Sequence, residues 1–353
     1  MPTLSCDELS DLMRRVLSAL GCPGDEAEVI ARSLALANLA GHDSHGLIRI
    51  EQYVKMVQIG EAIPGAPVTV EHETACTAVL NGGWNFGQVA GRRAAETAIR
   101  KAREYGTGTV TLRNSNHLGR LGEYTLMAAE EGMAAVMMVN NHGRGNLVAP
   151  FGGSDGRLST NPISFAAPGP ERPILVDITT SVVAEGKVRI KRNAGQAVPE
   201  GWLIDSQGRA TTDPNDLYLE PRGAILPFGG VAAHKGFALS MMVDILSGAL
   251  SGAGCSRSPD IRNGNAVFYT AIDVEKFIPR EEFLEHVAIL ERHVKASPPA
   301  PGFTEVLLPG EPEFREEQRR RREGVRIDEG TWRQFCDCAE GLGIDLSETK
   351  GRE

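Results

Sequence analysis

The feature that most constrains the fold is the alternation of strand-like and helix-like segments between residues 67 and 280. Helical periodicity appears at residues 87–104 and 124–131, and a further helix is expected after Gly236. Short apolar or β-branched runs predict strands at residues 68–70, 77–80, 108–112, 134–139, 164–167, 174–177 and 266–271. Because strands that alternate with helices usually form a sheet covered by those helices, this region predicts an α/β layer.

The N-terminal part is predicted to be all-helical. Ser5 and Glu8 have capping-box spacing in front of an apolar helical stripe, and residues 25–40 predict a second helix. A cluster rich in proline and glycine at residues 63–67 marks a domain boundary. The last sixty residues again have helical character, interrupted by a proline-rich loop. The chain is therefore divided into three parts: 1–66, 67–280 and 281–353.

Composition argues against several classes of protein. The chain has 37 Lys and Arg against 46 Asp and Glu, a net charge of −9, whereas nucleic-acid-binding surfaces are basic. The most basic stretch, residues 315–326, is interleaved with glutamates and is interpreted as a solvated helix face. No apolar run approaches the ~20 residues of a membrane span, and no secretory segment opens the chain. Six cysteines without CxxC spacing indicate reduced thiols. We therefore expect a cytoplasmic protein with neither nucleic-acid nor membrane partners.

One twelve-residue segment carries the densest group of chemically active side chains. A helix is predicted to begin with Ser44 as its N-cap and to run to about Gly60. His45, Arg49 and Tyr53, spaced four residues apart, would then share one face, and apolar residues would seat the opposite face on a core. An imidazole that exchanges protons, beside a guanidinium and a phenol, suits a small carboxylated substrate.

Three further segments place polar side chains next to strand ends or helix starts. Asn116 and His117 follow a predicted strand and precede a helix, where α/β proteins place ligands; a hydrogen-bonded turn is the alternative. Hydroxyl-rich strand ends at residues 159–162 and 176–181 suit a phosphate or a ribose, with turn capping as the alternative. Lys235, at a glycine-flanked helix start, either binds an anion or is simply solvated.

Several common signatures are absent. The chain has no GxGxxG, no GxxxxGK[ST], no HExxH and no G-x-S-x-G motif. His42, Asp43 and His45 leave a metal-dependent hydrolase or lyase as an alternative, although no third metal ligand has a recognisable spacing. A non-enzymatic dimeric binding protein is the other alternative.

Seven motifs in register resemble those of a single family, the malate/L-lactate dehydrogenase family of the second type. Its relatives include ureidoglycolate, sulfolactate, diketogulonate and piperideine-2-carboxylate oxidoreductases. The resemblance covers most of the chain and rests on residues 41–46, 115–119, 160–162, 198–202, 211–214, 226–236 and 308–311.

The resemblance implies a fold and an activity. It implies a non-Rossmann, mixed-sheet NAD(P)-binding domain in residues 67–280, in accord with the missing glycine motif. Residues 1–66 would serve the substrate and dimerisation, residues 281–353 would pack against them, and the active form would be a homodimer. The implied reaction is hydride transfer between the nicotinamide of NAD or NADP and a small 2-hydroxy or 2-oxo acid. Reduction of a cyclic 2-imino acid is the alternative within the family.

The resemblance also implies roles for individual residues. His45 and His117 each match a histidine proposed to exchange the substrate proton, and both remain candidates. His42 and Asp43 become structural support. The implied substrate contacts are Ser44, Arg49, Tyr53 and Asn116, with Arg49 binding the carboxylate. The implied cofactor contacts are Asn141, Thr160, Asp177, Thr179, Thr180, Ser181, His234, Lys235, Pro309, Gly310 and Glu311.

One residue and one basic cluster bear on the choice of substrate and of cofactor. His142 departs from the family pattern near the nicotinamide, where it would either mark substrate preference or be incidental. Arg189, Lys191 and Arg192 would fit a 2′-phosphate or form a solvated basic strand end, so the choice between NAD and NADP stays open.

Overall fold

The computed structural model of the protein describes residues 2–143, 145–257 and 262–346. Its helices, in chain order, are α1 (Cys6–Ala19), α2 (Gly24–Leu39), α3 (Arg49–Gln58), α4 (Gly87–Tyr105), α5 (Gly122–Glu130), α6 (Glu185–Asn193), α7 (Ala233–Val243), α8 (Arg280–Lys295), α9 (Glu311–Glu323) and α10 (Glu329–Gly341). Its strands are β1 (Thr3–Leu4), β2 (Thr69–Glu73), β3 (Thr77–Asn81), β4 (Thr107–Ser115), β5 (Met133–His142), β6 (Ile163–Ala167), β7 (Ile174–Ile178), β8 (Leu203–Ile204), β9 (Ala210–Thr211), β10 (Ala224–Ile225), β11 (Gly264–Asp273) and β12 (Val325–Arg326).

A mixed seven-stranded sheet organises the middle of the chain. Its strand order is β2-β3-β4-β11-β5-β6-β7. Only β3 and β4 run parallel within it, and every other neighbouring pair is antiparallel. All seven strands predicted from the sequence are confirmed, with ends that differ by a few residues. The two smaller sheets, β10-β8-β9 and β1-β12, were not predicted because their strands are only two residues long.

The two faces of the large sheet are covered differently. Helices α4 and α5 pack on one face, where Met137 and Val139 of β5 and Tyr269 of β11 join their alanine-rich sides in one core cluster. Side chains alternate along a strand, so Asn140 points to the other face. There it donates to the carboxylate of Asp244, which begins a π-helical continuation of α7 at Asp244–Ala249.

Residues from both chain ends share a second core. The predicted capping box at Ser5 and Glu8 is confirmed at the start of α1. Helices α1, α2 and α3 enclose a cluster that includes Val325, Ile327 and Phe335 from the C-terminal segment. The pairing of β1 with β12 and the contact of α10 with α3 hold the ends together. Helix α8, by contrast, has no buried residue.

The structure corrects two sequence predictions. The helix predicted from Ser44 is a 3-10 turn, Asp43–His45, followed by α3, which begins only at Arg49. The chain breaks there because it folds over Asn38. The Asn38 amide oxygen accepts from the Leu47 N–H at 2.8 Å, and a side chain at Gly46 would overlap the Asn38 amide.

The basic cluster at residues 189–192 also differs from expectation. It lies on helix α6 and not at a strand end. Its charged residues occur at helical spacing, and Arg189 reaches back one turn to Glu185. In the described part of the chain, we find no helix with both the length and the apolar character needed to cross a membrane.

Candidate functional site

The candidate site is a cavity of about 830 Å³ at one end of the large sheet. It lies where β4, β5 and β7 end and where β6 and β11 begin, and it is closed by the turn before α3 and by the start of α6. Its volume is in the upper part of the range for small-molecule sites. The predicted site residues that line it are Ser44, His45, Arg49, His117, Asn141, Thr160, Asp177, Thr179 and Ser181.

The two candidate histidines lie side by side in this cavity. Their rings are stacked with centroids 5.6 Å apart and planes 16° from parallel. Nδ1 of His45 lies 3.0 Å from the Ser44 hydroxyl, and Nδ1 of His117 lies 2.9 Å from the Tyr53 hydroxyl. Neither Nε2 atom has a hydrogen-bond partner among the described residues, so both remain available to a substrate.

Both imidazoles are neutral at physiological pH. Burial, followed by the positive charge of Arg49, lowers the pKa of His45 to about 3. The same two causes, in the same order, lower the pKa of His117 well below its usual value. A neutral imidazole carries one N–H and one lone pair. The free nitrogen of each ring is therefore able to accept a proton, or to donate a hydrogen bond when it carries the hydrogen, and a ring that has accepted a proton is able to return it.

Tyr53 contacts the ring nitrogen of His117 that faces away from the cavity. Its side chain is fully buried and is not among the residues that line the cavity, so its predicted contact with the substrate stays a prediction. The Tyr53 oxygen accepts a hydrogen bond from Nε2 of Gln88 at 2.6 Å and lies 2.9 Å from Nδ1 of His117. Its second lone pair is able to accept a hydrogen from Nδ1, and this tautomer leaves the lone pair of Nε2 free in the cavity. Sequence reasoning missed Gln88, because a glutamine on an alanine-rich helix carries no motif.

Arg49 is a half-buried cation without an anionic partner among the described residues. Its Nε donates to the Ser44 carbonyl at 2.6 Å, and Nη1 donates to the Gln52 side chain at 2.7 Å. Burial lowers the pKa of Arg49, and the guanidinium forms no ion pair with a described residue. A buried unpaired charge is costly, so this arrangement favours a bound anion such as a substrate carboxylate.

Asn116 binds backbone groups of neighbouring loops. Its amide donates to the backbone carbonyls of Glu61, Trp84 and Asn85, at 3.1, 2.6 and 3.1 Å, and the residue does not line the cavity. It therefore holds the loop that carries His117, and its contact with a substrate stays a prediction.

His142 also lies outside the cavity. Its side chain is buried and Nδ1 has no hydrogen-bond partner. Burial, followed by the charge of Arg257, lowers its pKa. The structure therefore offers no direct contact through which His142 would select a substrate in this cavity.

A carboxylate and several hydroxyl groups at and after the end of β7 form another part of the lining. The Asp177 carboxylate accepts from the Gly122 N–H at 2.7 Å, and burial raises its pKa while Arg120 lowers it. Thr179 and Ser181 line the cavity, whereas Thr180 is buried behind it and donates to the Thr160 carbonyl.

Buried amide oxygens test whether a nicotinamide cofactor fits here. Oδ1 of Asn141 and Oδ1 of Asn140, a residue that sequence reasoning missed, are both buried without a partner in the lining of the cavity. Such acceptors suit N–H donors like those of a carboxamide. Together with the hydroxyls at the end of β7, they fit a nicotinamide nucleotide.

The structure does not bring the remaining predicted cofactor contacts to this cavity. His234 and Lys235 are exposed at the start of α7, where His234 packs edge-on against Phe151. Glu311, which follows Pro309 and Gly310, is buried in a network with Arg172, Lys295 and the Leu308 N–H beside a second, smaller cavity. Their contact with a cofactor stays a prediction.

The His42–Asp43 pair is held by helix α9. Nε2 of His42 lies 3.7 Å from Glu313, and Arg320 binds both oxygens of Asp43, at 2.6 and 3.0 Å. Among the described residues, no three His, Cys, Asp or Glu side chains cluster in a way that would hold a metal ion. The hydrolase alternative, which rested on His42, Asp43 and His45, therefore has no structural support.

Comparison with known proteins identifies the family. The family model for malate/L-lactate dehydrogenase matches residues 4–336. Malate dehydrogenase of Pyrococcus horikoshii is 39% identical over 347 residues, which cover 96% of this chain and 95% of that protein. L-sulfolactate dehydrogenase of Methanothermobacter thermautotrophicus is 35% identical, with 97% and 98% covered. The structure of a putative malate/lactate dehydrogenase from E. coli superposes with a TM-score of 0.91 at 34% identity, covering 98% and 97% of the two chains. The chain therefore belongs to the malate/L-lactate dehydrogenase family and is an oxidoreductase that acts on the CH–OH group of a 2-hydroxy acid.

Proposed function

We propose that the cavity beside His45 and His117 is the site of this reaction, with the protein using NAD or NADP. The observation that carries the proposal is the half-buried guanidinium of Arg49, which has no anionic partner among the described residues, next to two stacked histidines with free Nε2 atoms. A 2-hydroxy acid carries its carboxylate at C1 and its hydroxyl on the adjacent carbon, C2. The guanidinium is suited to bind the first group and the imidazoles are suited to bind the second.

The chain's own residues position the substrate and move its proton. Arg49 holds the C1 carboxylate through the face of its guanidinium that Ser44 and Gln52 leave free, and so fixes C2 in the cavity. His117 takes the hydroxyl proton at Nε2, or returns it in the reverse direction, while Tyr53 holds its other nitrogen. His45, stacked beside it, contacts the same oxygen. The nicotinamide, when bound, accepts or supplies the hydride.

Residues on the sheet side of the cavity would hold the cofactor. We assign this role to Asn141, Thr160 and Asp177 together with Thr179 and Ser181, because all of them line the cavity at the ends of β5 and β7 or just before β6. Asn140 joins them through its buried, partnerless oxygen. The basic residues of α6 are less available for a 2′-phosphate, since Arg189 is already paired with Glu185 at 2.7 Å.

Different parts of the chain would bind the cofactor and the substrate. We propose that the mixed sheet forms a non-Rossmann cofactor domain, because its mostly antiparallel order differs from that of doubly wound sheets. The helices from both ends would form the substrate domain. Exposed apolar residues on α7, its continuation and α8, among them Met241, Ile245 and Leu290, support a homodimer. We also retain a cytoplasmic location, with neither nucleic-acid nor membrane partners.

A cofactor and substrate screen tests the proposal. The purified protein is incubated with NADH or NADPH and a panel of 2-oxo acids and cyclic 2-imino acids, and nicotinamide fluorescence is followed. We expect oxidation of one cofactor with at least one 2-oxo acid, and loss of that activity in His117→Ala. Reaction only with cyclic imino acids would replace the proposed substrate. No reaction with any pair would refute the proposal.

A further inference from the structure

A buried carboxylate lies behind the part of the cavity wall that includes Asn140, and neither the proposed reaction nor the sequence motifs assign it a role. Asp244 is 2% exposed, and among the described residues no Lys, Arg or His forms an ion pair with it. Arg257, which lies on the loop that follows, is exposed to solvent. The side chain of Asp244 is therefore enclosed by protein without a paired cation in the described part of the chain.

Hydrogen-bond donors surround the carboxylate of Asp244. Its Oδ1 accepts from Nδ2 of Asn140 at 2.8 Å and from the Ser256 N–H at 2.9 Å. Its Oδ2 lies 3.5 Å from Nδ2 of Asn161. An ionised carboxylate only accepts hydrogen bonds, so three donors of this kind suit the negatively charged form of Asp244.

The side chain of Asn140 connects this charge to the cavity. Asn140 lines the cavity, and its Nδ2 donates to Asp244 at 2.8 Å and to the Gly254 carbonyl at 3.2 Å. Both hydrogens of the amide are then used, and its Oδ1 is buried without a partner. This oxygen is the negative end of the amide dipole, so the amide and the carboxylate together make this part of the wall negative.

The backbone around Asp244 is shaped for close contact with Asn140. The π-helical turn Asp244–Ala249 brings Gly248 so near that a Cβ there would lie 2.5 Å from Nδ2 of Asn140. Asn161 adopts a left-handed φ of 36° and also donates to the carbonyl and the hydroxyl of Ser240, at 3.1 Å each. Both π-helical turns and left-handed residues other than glycine are uncommon, and they concentrate at functional sites.

We propose that Asp244 is a specificity-determining residue that favours the oxidised over the reduced form of the cofactor. The nicotinamide ring carries a positive charge when oxidised and none when reduced. Asn140 lies between Asp244 and the cavity, and the protein interior screens charges much less than water does. Asp244 therefore attracts the oxidised ring and has little effect on the reduced ring. The proposal rests on the proposed function, because it requires a nicotinamide beside Asn140.

The test measures cofactor binding without any substrate. The Kd values of the oxidised and the reduced dinucleotide, NAD or NADP, are determined by titration calorimetry for the wild type, Asp244→Asn and Asp205→Asn. In Asp244→Asn, the Kd of the oxidised form should rise about 10-fold and that of the reduced form should change less than about twofold, because the charge is lost while an acceptor oxygen is kept. Asp205→Asn should change neither Kd, since Asp205 binds the Gln207 and Arg209 N–H groups in a turn outside the cavity lining.

A second substitution separates the charge of Asp244 from its packing. Asp244→Ser also removes the charge but leaves a smaller side chain, and it should change the ratio of the two Kd values in the same direction. It also provides the test if Asp244→Asn does not fold. If the charge-removing variants weaken the binding of both forms by the same factor, Asp244 has only a structural role and the proposal is overturned. Unchanged Kd values would overturn it as well. A wild type that binds neither form of the dinucleotide would instead refute the proposed function, on which the role of Asp244 depends.

Discussion

The hydroxyl of Tyr53 lies 2.9 Å from Nδ1 of His117, and Gln88 donates to that same hydroxyl at 2.6 Å. Helix α3, helix α4 and the loop after β4 therefore meet directly behind the proposed proton-exchanging histidine. The state of one imidazole nitrogen is set by the partner of the other. The Gln88–Tyr53 pair thus keeps the free Nε2 of His117 directed to the cavity.

Replacing Tyr53 by phenylalanine tests this arrangement. We expect kcat to fall about 10- to 100-fold with a smaller change in KM, because the imidazole loses its support but the substrate contacts remain. The unpaired Gln88 amide should also cost about 1–2 kcal/mol of stability. Steady-state kinetics and chemical denaturation measure the two effects.

Tyr269→Phe is the matched control for that substitution. Tyr269 is also fully buried, and its hydroxyl donates to a backbone carbonyl at 2.8 Å, that of Tyr124. It should lose comparable stability with no selective loss of kcat. If the two variants lose kcat equally, the effect belongs to packing and not to support of His117.

Arg49→Lys tests the proposed carboxylate site. Arg49 uses Nε and Nη1 to bind Ser44 and Gln52, and keeps the rest of its planar fork for a ligand. A single ammonium cannot reproduce this geometry, so kcat/KM for any 2-oxo acid should fall about 100-fold. The KM for the cofactor should change little. The same substitution at the exposed Arg92 of α4 controls for general effects, and near-normal kinetics in Arg49→Lys would refute the role.

The sequence predicted the large elements because each carried its own periodicity. The runs that became β4 and β5 are long and apolar, and the Ser5–Glu8 capping box is a local signal that the structure confirms. The start of α3 was predicted too early because Ser44 is a good cap residue by type. Asn38, which binds the Leu47 N–H from a different helix, decides the geometry there, and such a distant contact leaves no mark on local spacing.

Site residues that belong to a local motif could be predicted from the sequence. Residues that reach the site only through tertiary packing were missed. His45, Arg49 and His117 do line one cavity. The predicted helix face of His45, Arg49 and Tyr53 is wrong, because His45 lies in the 3-10 turn before α3. Gln88 contacts Tyr53 only because the fold brings α4 beside α3, so no local motif identified it. Tyr53 was assigned to the substrate because a phenol suits an anion, but in the structure its hydroxyl points to an imidazole.

Arg320 is a second residue whose contacts could not be predicted from the local sequence, and it gives a further testable prediction. Residues 315–326 were interpreted as a solvated face, but the Arg320 side chain is only 13% exposed, and it binds both Asp43 and the Asn38 carbonyl. Arg320→Leu should loosen the turn that carries His45 and lower kcat/KM about 10-fold for every substrate, at a cost of about 1 kcal/mol in stability. Arg319→Leu is the neighbouring control, because Arg319 pairs only with Glu316 and Glu323 on the surface. Equal effects of the two substitutions would argue against a specific role for Arg320.

The low pKa of His45 predicts how stability depends on pH. In the unfolded chain an ordinary imidazole takes up a proton near pH 6.5, whereas burial and Arg49 keep His45 neutral down to about pH 3. The unfolded state therefore binds more protons than the folded state between these values, and the free energy of unfolding falls as the pH is lowered through this window. His117 and His142, whose pKa values are also lowered, act in the same direction.

From pH 7 to pH 5, His45 alone should account for a loss of about 1–2 kcal/mol in the free energy of unfolding. His45→Asn should reduce the slope over this interval without removing it, because the other two buried histidines remain. His72→Asn, which alters an exposed histidine on β2, should leave the slope unchanged. Urea denaturation of the three proteins at several pH values measures the slopes. A wild-type stability that stays constant or rises as the pH falls from 7 to 5 would mean that the folded protein accepts these protons, and that the histidines of the cavity are not held neutral.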